Sequence, residues 1–170
     1  DTSFIYLALE ECMGTIQDLV DDNRQEPLTL EQTKAVLYGM MTGLAHLHSL
    51  HIVHRDIKPG NILLSRGPAK SLNARVSDMG LGKQLSMSRS SFDSVVSGSI
   101  GWQAPEVLNA NGGRLTKAVD VFSAGCVMHY VLTKGKHPFG DNVERELNIA
   151  HNRMDLSGLS DLPEARDLIG

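Results

Sequence analysis

Between Lys117 and Lys134 the chain reads AVDVFSAGCVMHYVLT, apolar on nearly every side of a helix. A helix of that kind is stable only when other elements surround it, so the fold has to be built around this segment. Its longest apolar run, Val121 to Leu132, holds about a dozen residues, whereas a membrane span needs about 20. Thr116 is placed to cap the helix, and Lys134 with Gly135 to stop it. One carboxylate, Asp120, stands inside it, and a buried carboxylate needs hydrogen-bond donors. With 170 residues, the chain is long enough for one core around such a helix. The composition, 41% apolar and 21% charged, excludes a collagen-like or mostly disordered chain. A net charge of −4 argues against electrostatic nucleic-acid binding. Cys12 and Cys126 sit in apolar context and read as reduced thiols.

The rest of the chain supplies the surroundings. Phe4 to Leu9 (FIYLAL) reads as a short buried strand, which Glu10 to Met13 leave and Gly14 punctuates. A short helix is expected around Ile16 to Val20. Thr29 and Gln32 match a capping box, and Val36, Leu37, Met40, Met41, Leu44 and Leu47 then recur at helical spacing to about Ser49. Ile62–Leu64 and Ala74–Ser77 read as strands. Residues 82–103 lack apolar periodicity and hold seven serines between Ser86 and Ser99, which predicts a long loop. A last helix is expected from about Asn142 to His151. His46 and His48 fall on different faces of their helix and His51 and His54 around a turn, a spacing that reads as helix-end packing.

Chemistry concentrates in residues 54–61. His54, Arg55, Asp56 and Lys58 crowd one loop, with Asn61 five residues after the aspartate. Asp78-Met79-Gly80 follows 17 residues after Asn61, and Ala104-Pro105-Glu106 closes the serine-rich loop. Phosphoryl transfer needs a carboxylate to orient and deprotonate a hydroxyl. It also needs oxygen ligands for a hard cation and a positive charge near the transferring group. Asp56, Asn61 with Asp78, and Lys58 are residue types suited to those tasks.

The order H-R-D-I-K-P-G-N, D-M-G, A-P-E resembles the protein-kinase motif set. The strings A-L-E-E-C-M-G-T-I-Q-D-L-V, S-G-S-I-G-W-Q-A-P-E and V-D-V-F-S-A-G-C-V with G-K-H-P-F-G-D-N-V-E-R resemble, over essentially the whole chain, the inositol-requiring-enzyme family, most closely its plant branch. Members of that family are single-pass sensors of endoplasmic-reticulum stress with a cytosolic kinase and a C-terminal endoribonuclease. The resemblance implies an α+β protein-kinase-like fold, mostly the helical C-terminal lobe. Residues 1–13 would be the last small-lobe strand and hinge, and 14–170 the large lobe, truncated before its final helices, with the N-terminal lobe largely absent. It implies a Ser/Thr kinase using ATP and Mg²⁺, with Asp56 as base and Lys58 as phosphate contact. Asn61 and Asp78 would be metal ligands, the backbone of Glu10, Glu11 and Cys12 would meet adenine, and Leu63 would lie in the adenine floor.

Further roles follow from the resemblance. His54 and Arg55 would form the catalytic turn, held by Asp120. Met79 would fill a phenylalanine-sized slot before Gly80. Glu106 would be a buried carboxylate awaiting an arginine beyond residue 170. Ser86, Ser88, Ser90 and Ser91 would be phosphorylation sites that pair with Arg55. Partners would be ATP, a protein Ser/Thr substrate and a second copy of the chain, with RNA only through the nuclease and no membrane contact in this segment. No G-x-G-x-x-G loop and no strand lysine precede residue 14, so this stretch alone is expected to be inactive. Two rival readings remain open: a nucleotide-sensing pseudokinase scaffold, and a cytosolic Ser/Thr kinase without a nuclease.

Overall fold

The computed structural model describes residues 10–22, 27–67, 71–85, 92–93, 98–108 and 114–170. The expected strand over Phe4 to Leu9 lies outside them. The first element of the described residues is β1 (Gly14–Thr15), followed at once by α1 (Ile16–Asp21). Thr15 and Asp18 form a capping box in which the Asp18 carboxylate accepts both the amide and the hydroxyl of Thr15.

Helix α2 (Leu30–Ser49) starts at the Thr29–Gln32 box and buries Val36, Met40 and Leu44. Its inner face lies on β4 (Leu72–Val76), the outer strand of an antiparallel sheet ordered β1–β3–β4 with β3 at Ile62–Arg66. Gly39 makes that approach possible, because a Cβ there would stand 3.1 Å from the backbone N and O of Ala74. One helical turn on, a Cβ at Gly43 would stand 3.1 Å from Cγ2 of Val76.

Helix α4 (Ala118–Leu132) is the hub that its composition requires. Ala124, Val127, Tyr130 and Val131 join the main cluster with Val36, Met40, Leu44, Ile57 and Ile62. Val119 joins Val53, Leu85, Ala104 and Val107, and Cys126 joins Phe139 and Ile149 of α5 (Asn142–Ala150). Thr116 is not the cap residue. Lys117 is already helical and takes that place, while the Thr116 hydroxyl accepts the Ala118 amide at 3.2 Å. The helix leaves through Lys134 (φ 55) and Gly135 (φ 99), as expected.

The stretch 82–103 is not all loop. Its β5 (Lys83–Gln84) pairs with β2 (Ile52–Val53), and β6 (Phe92–Asp93) with β7 (Arg114–Leu115). Two-residue ladders have no period to detect in sequence. Short helices α3 (Pro105–Leu108) and α6 (Pro163–Ile169) complete the chain. No helix of the described residues is long and apolar enough to cross a membrane.

Candidate active site

The loop between β2 and β3 is held from α4. Asp120, 1% exposed, accepts the amides of His54 and Arg55, each at 2.8 Å, on its two carboxylate oxygens. His48 Nε2, from the end of α2, stands 2.8 Å from the same carboxylate, and Lys117 Nζ donates to the His48 carbonyl. Arg55 takes φ 73, a left-handed conformation that arginine adopts only under outside constraint. His54 is fully buried. Its Nδ1 accepts the Asp56 amide at 3.3 Å, so Nε2 carries the hydrogen and donates it to the Ser77 carbonyl at 2.8 Å.

These contacts fix the backbone that carries Asp56, itself a buried residue. Its Oδ1 accepts the Ser99 amide at 2.8 Å, and its Oδ2 accepts Asn61 Nδ2 at 2.9 Å and lies 3.1 Å from Lys58 Nζ. Lys58 also donates to the Ser99 hydroxyl. Burial pushes the Asp56 carboxyl up. The Ser99 bond, the bond and charge of Lys58, and the Asn61 bond outweigh it and hold the group below its ordinary value. Asp56 is therefore an ionised acceptor with a cation beside it. Residue 98 must be glycine for Ser99 to come this close: φ is +117, and a Cβ would fall 2.6 Å from the Arg55 carbonyl oxygen.

Asn61 bridges toward the next strand. Its carbonyl accepts both the amide and the hydroxyl of Ser77, at 2.9 and 3.0 Å, which sets Asp78 beside the loop. No hydrogen bond joins the side chains of Asn61 and Asp78. The Asp78 carboxylate folds onto its own turn, accepting the Gly80 amide at 3.3 Å. Met79 is 41% exposed. It occupies no slot, because the Asp78–Gly80 turn and the short 3₁₀ helix Met79–Leu81 carry it outward. Leu63, half-buried on β3, pairs with Thr15. Glu10 and Glu11 are exposed, Cys12 is half-buried, and Glu10 meets Arg75 at 3.3 Å. Glu106, whose expected partner lies beyond residue 170, is exposed among the described residues. Ser86, Ser88, Ser90 and Ser91 lie outside the described residues.

The protein kinase domain family matches residues 1–167. The chain belongs to the protein kinase family. Among curated relatives, this kinase chain is 41% identical over 99% of its length to the serine/threonine-protein kinase/endoribonuclease IRE1 of Oryza sativa subsp. japonica, of which it covers 20%. It is 47% identical over 98% of its length to the corresponding IRE2 of Homo sapiens, covering 19% of it. With IRE1a of Arabidopsis thaliana the identity is 38% over 99% of this chain and 24% of the relative. The chain thus spans about a fifth of the length of these relatives.

In this kinase chain the residues fit a hard cation by donor type. Asn61 turns Nδ2 to Asp56, which leaves its Oδ1 without a donor among the described residues, and Asp78 adds an exposed carboxylate. The motifs did not single out three residues of the site. Ser99 had no spacing signal beyond the string that contains it. His48 and Lys117 sit at helix ends, where sequence shows capping but not a partner about 70 residues away.

Proposed function

We propose that this chain is the large-lobe part of a Ser/Thr protein kinase of the stress-sensor kinase/endoribonuclease type. In this reading residues 1–13 are the last small-lobe strand and hinge, and residues 14–170 the large lobe. The observation that carries it is Asp56, held ionised between the Ser99 amide and Lys58 on a turn anchored by Asp120. Mg²⁺·ATP supplies the phosphoryl group. Asp56 accepts the hydrogen bond of the acceptor hydroxyl, fixes its lone pair toward the γ-phosphorus and takes its proton as the new P–O bond forms and the bond from that phosphorus to the bridging oxygen breaks, releasing ADP. Lys58 keeps a positive charge beside the transferring phosphate, and Asn61 with Asp78 present oxygens to the metal. The backbone of Glu10 to Cys12 meets adenine over Leu63. Arg55 receives phosphates placed on Ser86, Ser88, Ser90 or Ser91. A protein Ser/Thr side chain, on a second copy in autophosphorylation, is the acceptor. RNA is the substrate of a separate nuclease module. The kinase faces the cytosol from the endoplasmic-reticulum membrane.

The test is transfer of label from γ-labelled ATP in the full-length protein that contains this chain. Wild type should label itself and Asp56→Asn should not. Residues 1–170 alone should give no turnover, because a phosphate-covering loop and its strand lysine belong to the same constellation. Equal labelling by wild type and Asp56→Asn would overturn the reading.

A further inference from the structure

We infer that Arg145 of α5 is a positioning residue for the catalytic aspartate, acting through residues 99–102; the inference rests on the kinase reading above. Arg145 is fixed at its own end, since its Nε donates to the Gly140 carbonyl at 3.1 Å. Its stem lies against Gly101: a Cβ built there would fall 2.7 Å from Arg145 Cδ, and Gly101 takes φ +80. Its guanidinium stands over Trp102, 5.8 Å from the ring centre. No carboxylate of the described residues lies within ion-pair distance of it, so these contacts to the 99–102 segment are what the side chain does.

That segment is the one that touches the base. The Trp102 amide donates to the Ser99 carbonyl at 3.1 Å, which closes residues 99–102 into a turn. At one end of the turn the Ser99 amide is on Asp56 and its hydroxyl on Lys58. At the other, Ser123 of α4 donates to the Trp102 carbonyl at 2.7 Å, and the indole meets Tyr130 and His137 edge to face. Between those fixed ends Ile100 is 76% exposed, and Arg145 is what covers Gly101. The contacts form one continuous path from Gly140 through Arg145, Gly101 and Ser99 to Asp56. Without Arg145, the middle of the turn loses its support and the Ser99–Asp56 bond loosens. A base displaced by a fraction of an ångström loses rate without losing nucleotide.

Two measurements on the full-length protein test this. In kinetics, Arg145→Ala should lower kcat for protein phosphorylation about tenfold while KM for ATP stays within about twofold, and Arg145→Lys should recover part of the loss by restoring the stem. Gly98→Ala, whose Cβ would fall 2.6 Å from the Arg55 carbonyl oxygen and so displace the Ser99 amide, combined with Arg145→Ala should lose less than the product of the single losses, because both act on the Ser99–Asp56 contact. Independent, multiplicative losses would overturn the inference. In hydrogen exchange, Arg145→Ala should speed the Ser99 amide about tenfold and leave the His54 and Arg55 amides, held by Asp120, unchanged. An unchanged Ser99 amide, or equal acceleration of all three, would also overturn it. Exchange needs no turnover: if wild type transferred no phosphate, the kinase reading would fail while this measurement still decided the role of Arg145.

Discussion

The turn at residues 54–56 and the turn at residues 78–80 each carry a residue in the left-handed region, Arg55 at φ 73 and Asp78 at φ 60. They are held in opposite ways. The amides of Arg55 and His54 go to a carboxylate 65 and 66 residues away. Asp78 supplies its own carboxylate, bonded to the Gly80 amide, which is why aspartate tolerates this conformation more readily than arginine. Around Asp120 the surroundings are core. Asp78, Met79, Gly80 and Leu81 are all exposed. The contrast implies a division of labour. Asp56 is positioned by the folded core itself, and the second turn stands at the surface.

The largest expected effect falls on the first turn. Asp120→Asn leaves one acceptor oxygen for three donors and sets an amide NH₂ against a backbone N–H. The cost should be about 3 kcal/mol, read as a lower denaturant midpoint, with phosphorylation falling as well. A midpoint shift below about 0.5 kcal/mol would show that the turn holds without its anchor. Asp78→Asn should do the reverse. The asparagine oxygen still accepts the Gly80 amide, so stability should stay within about 0.5 kcal/mol. Label transfer at saturating Mg²⁺ should vanish, because the proposed site loses its anionic oxygen donor. Retained transfer would remove Asp78 from the proposed metal site and dissolve the contrast.

The smallest effect sharpens the comparison from the core side. Burial first, then the charges of Arg145 and His129, push His137 down to about 3 from its ordinary 6.5. A group held neutral in the fold binds its proton more readily when unfolded. Its contribution is therefore full above pH 6.5 and is lost as pH falls from there toward 3. His137→Asn keeps an acceptor for the Phe139 amide, now bonded at 3.2 Å to His137 Nδ1, and removes the titration. Unfolding midpoints at pH 7.5 and pH 5 should converge in the variant relative to wild type. Equal pH sensitivity in both would place the acid-labile group elsewhere.

Features whose physics is local were legible in the sequence. The Thr29–Gln32 box, the stripe Val36, Met40, Leu44 and the all-round apolar α4 each follow from residues within a few turns of one another. The same proximity makes residues 54–61 readable as a chemical loop. Misreadings came where burial decides. Met79 was expected inside and lies outside, because an exposed turn looks the same in sequence as a buried one. The two-residue strands were invisible for want of a period, and the Thr15–Asp18 box because aspartate replaces the usual glutamate or glutamine at its third position.

By itself the sequence determined which helix must lie at the centre, that one carboxylate inside it needs donors, and which side chains in the 54–61 loop suit phosphoryl transfer. Only the tertiary structure decided that His48 is a third partner of Asp120, that Ser99 bonds both Asp56 and Lys58, and that Arg145 of α5 reaches the same turn. The reason is the range of the interactions. Periodicity and capping are set by neighbours three or four residues apart. A hydrogen bond between Asp56 and Ser99 joins residues 43 apart and exists only once helices and sheet have closed the distance.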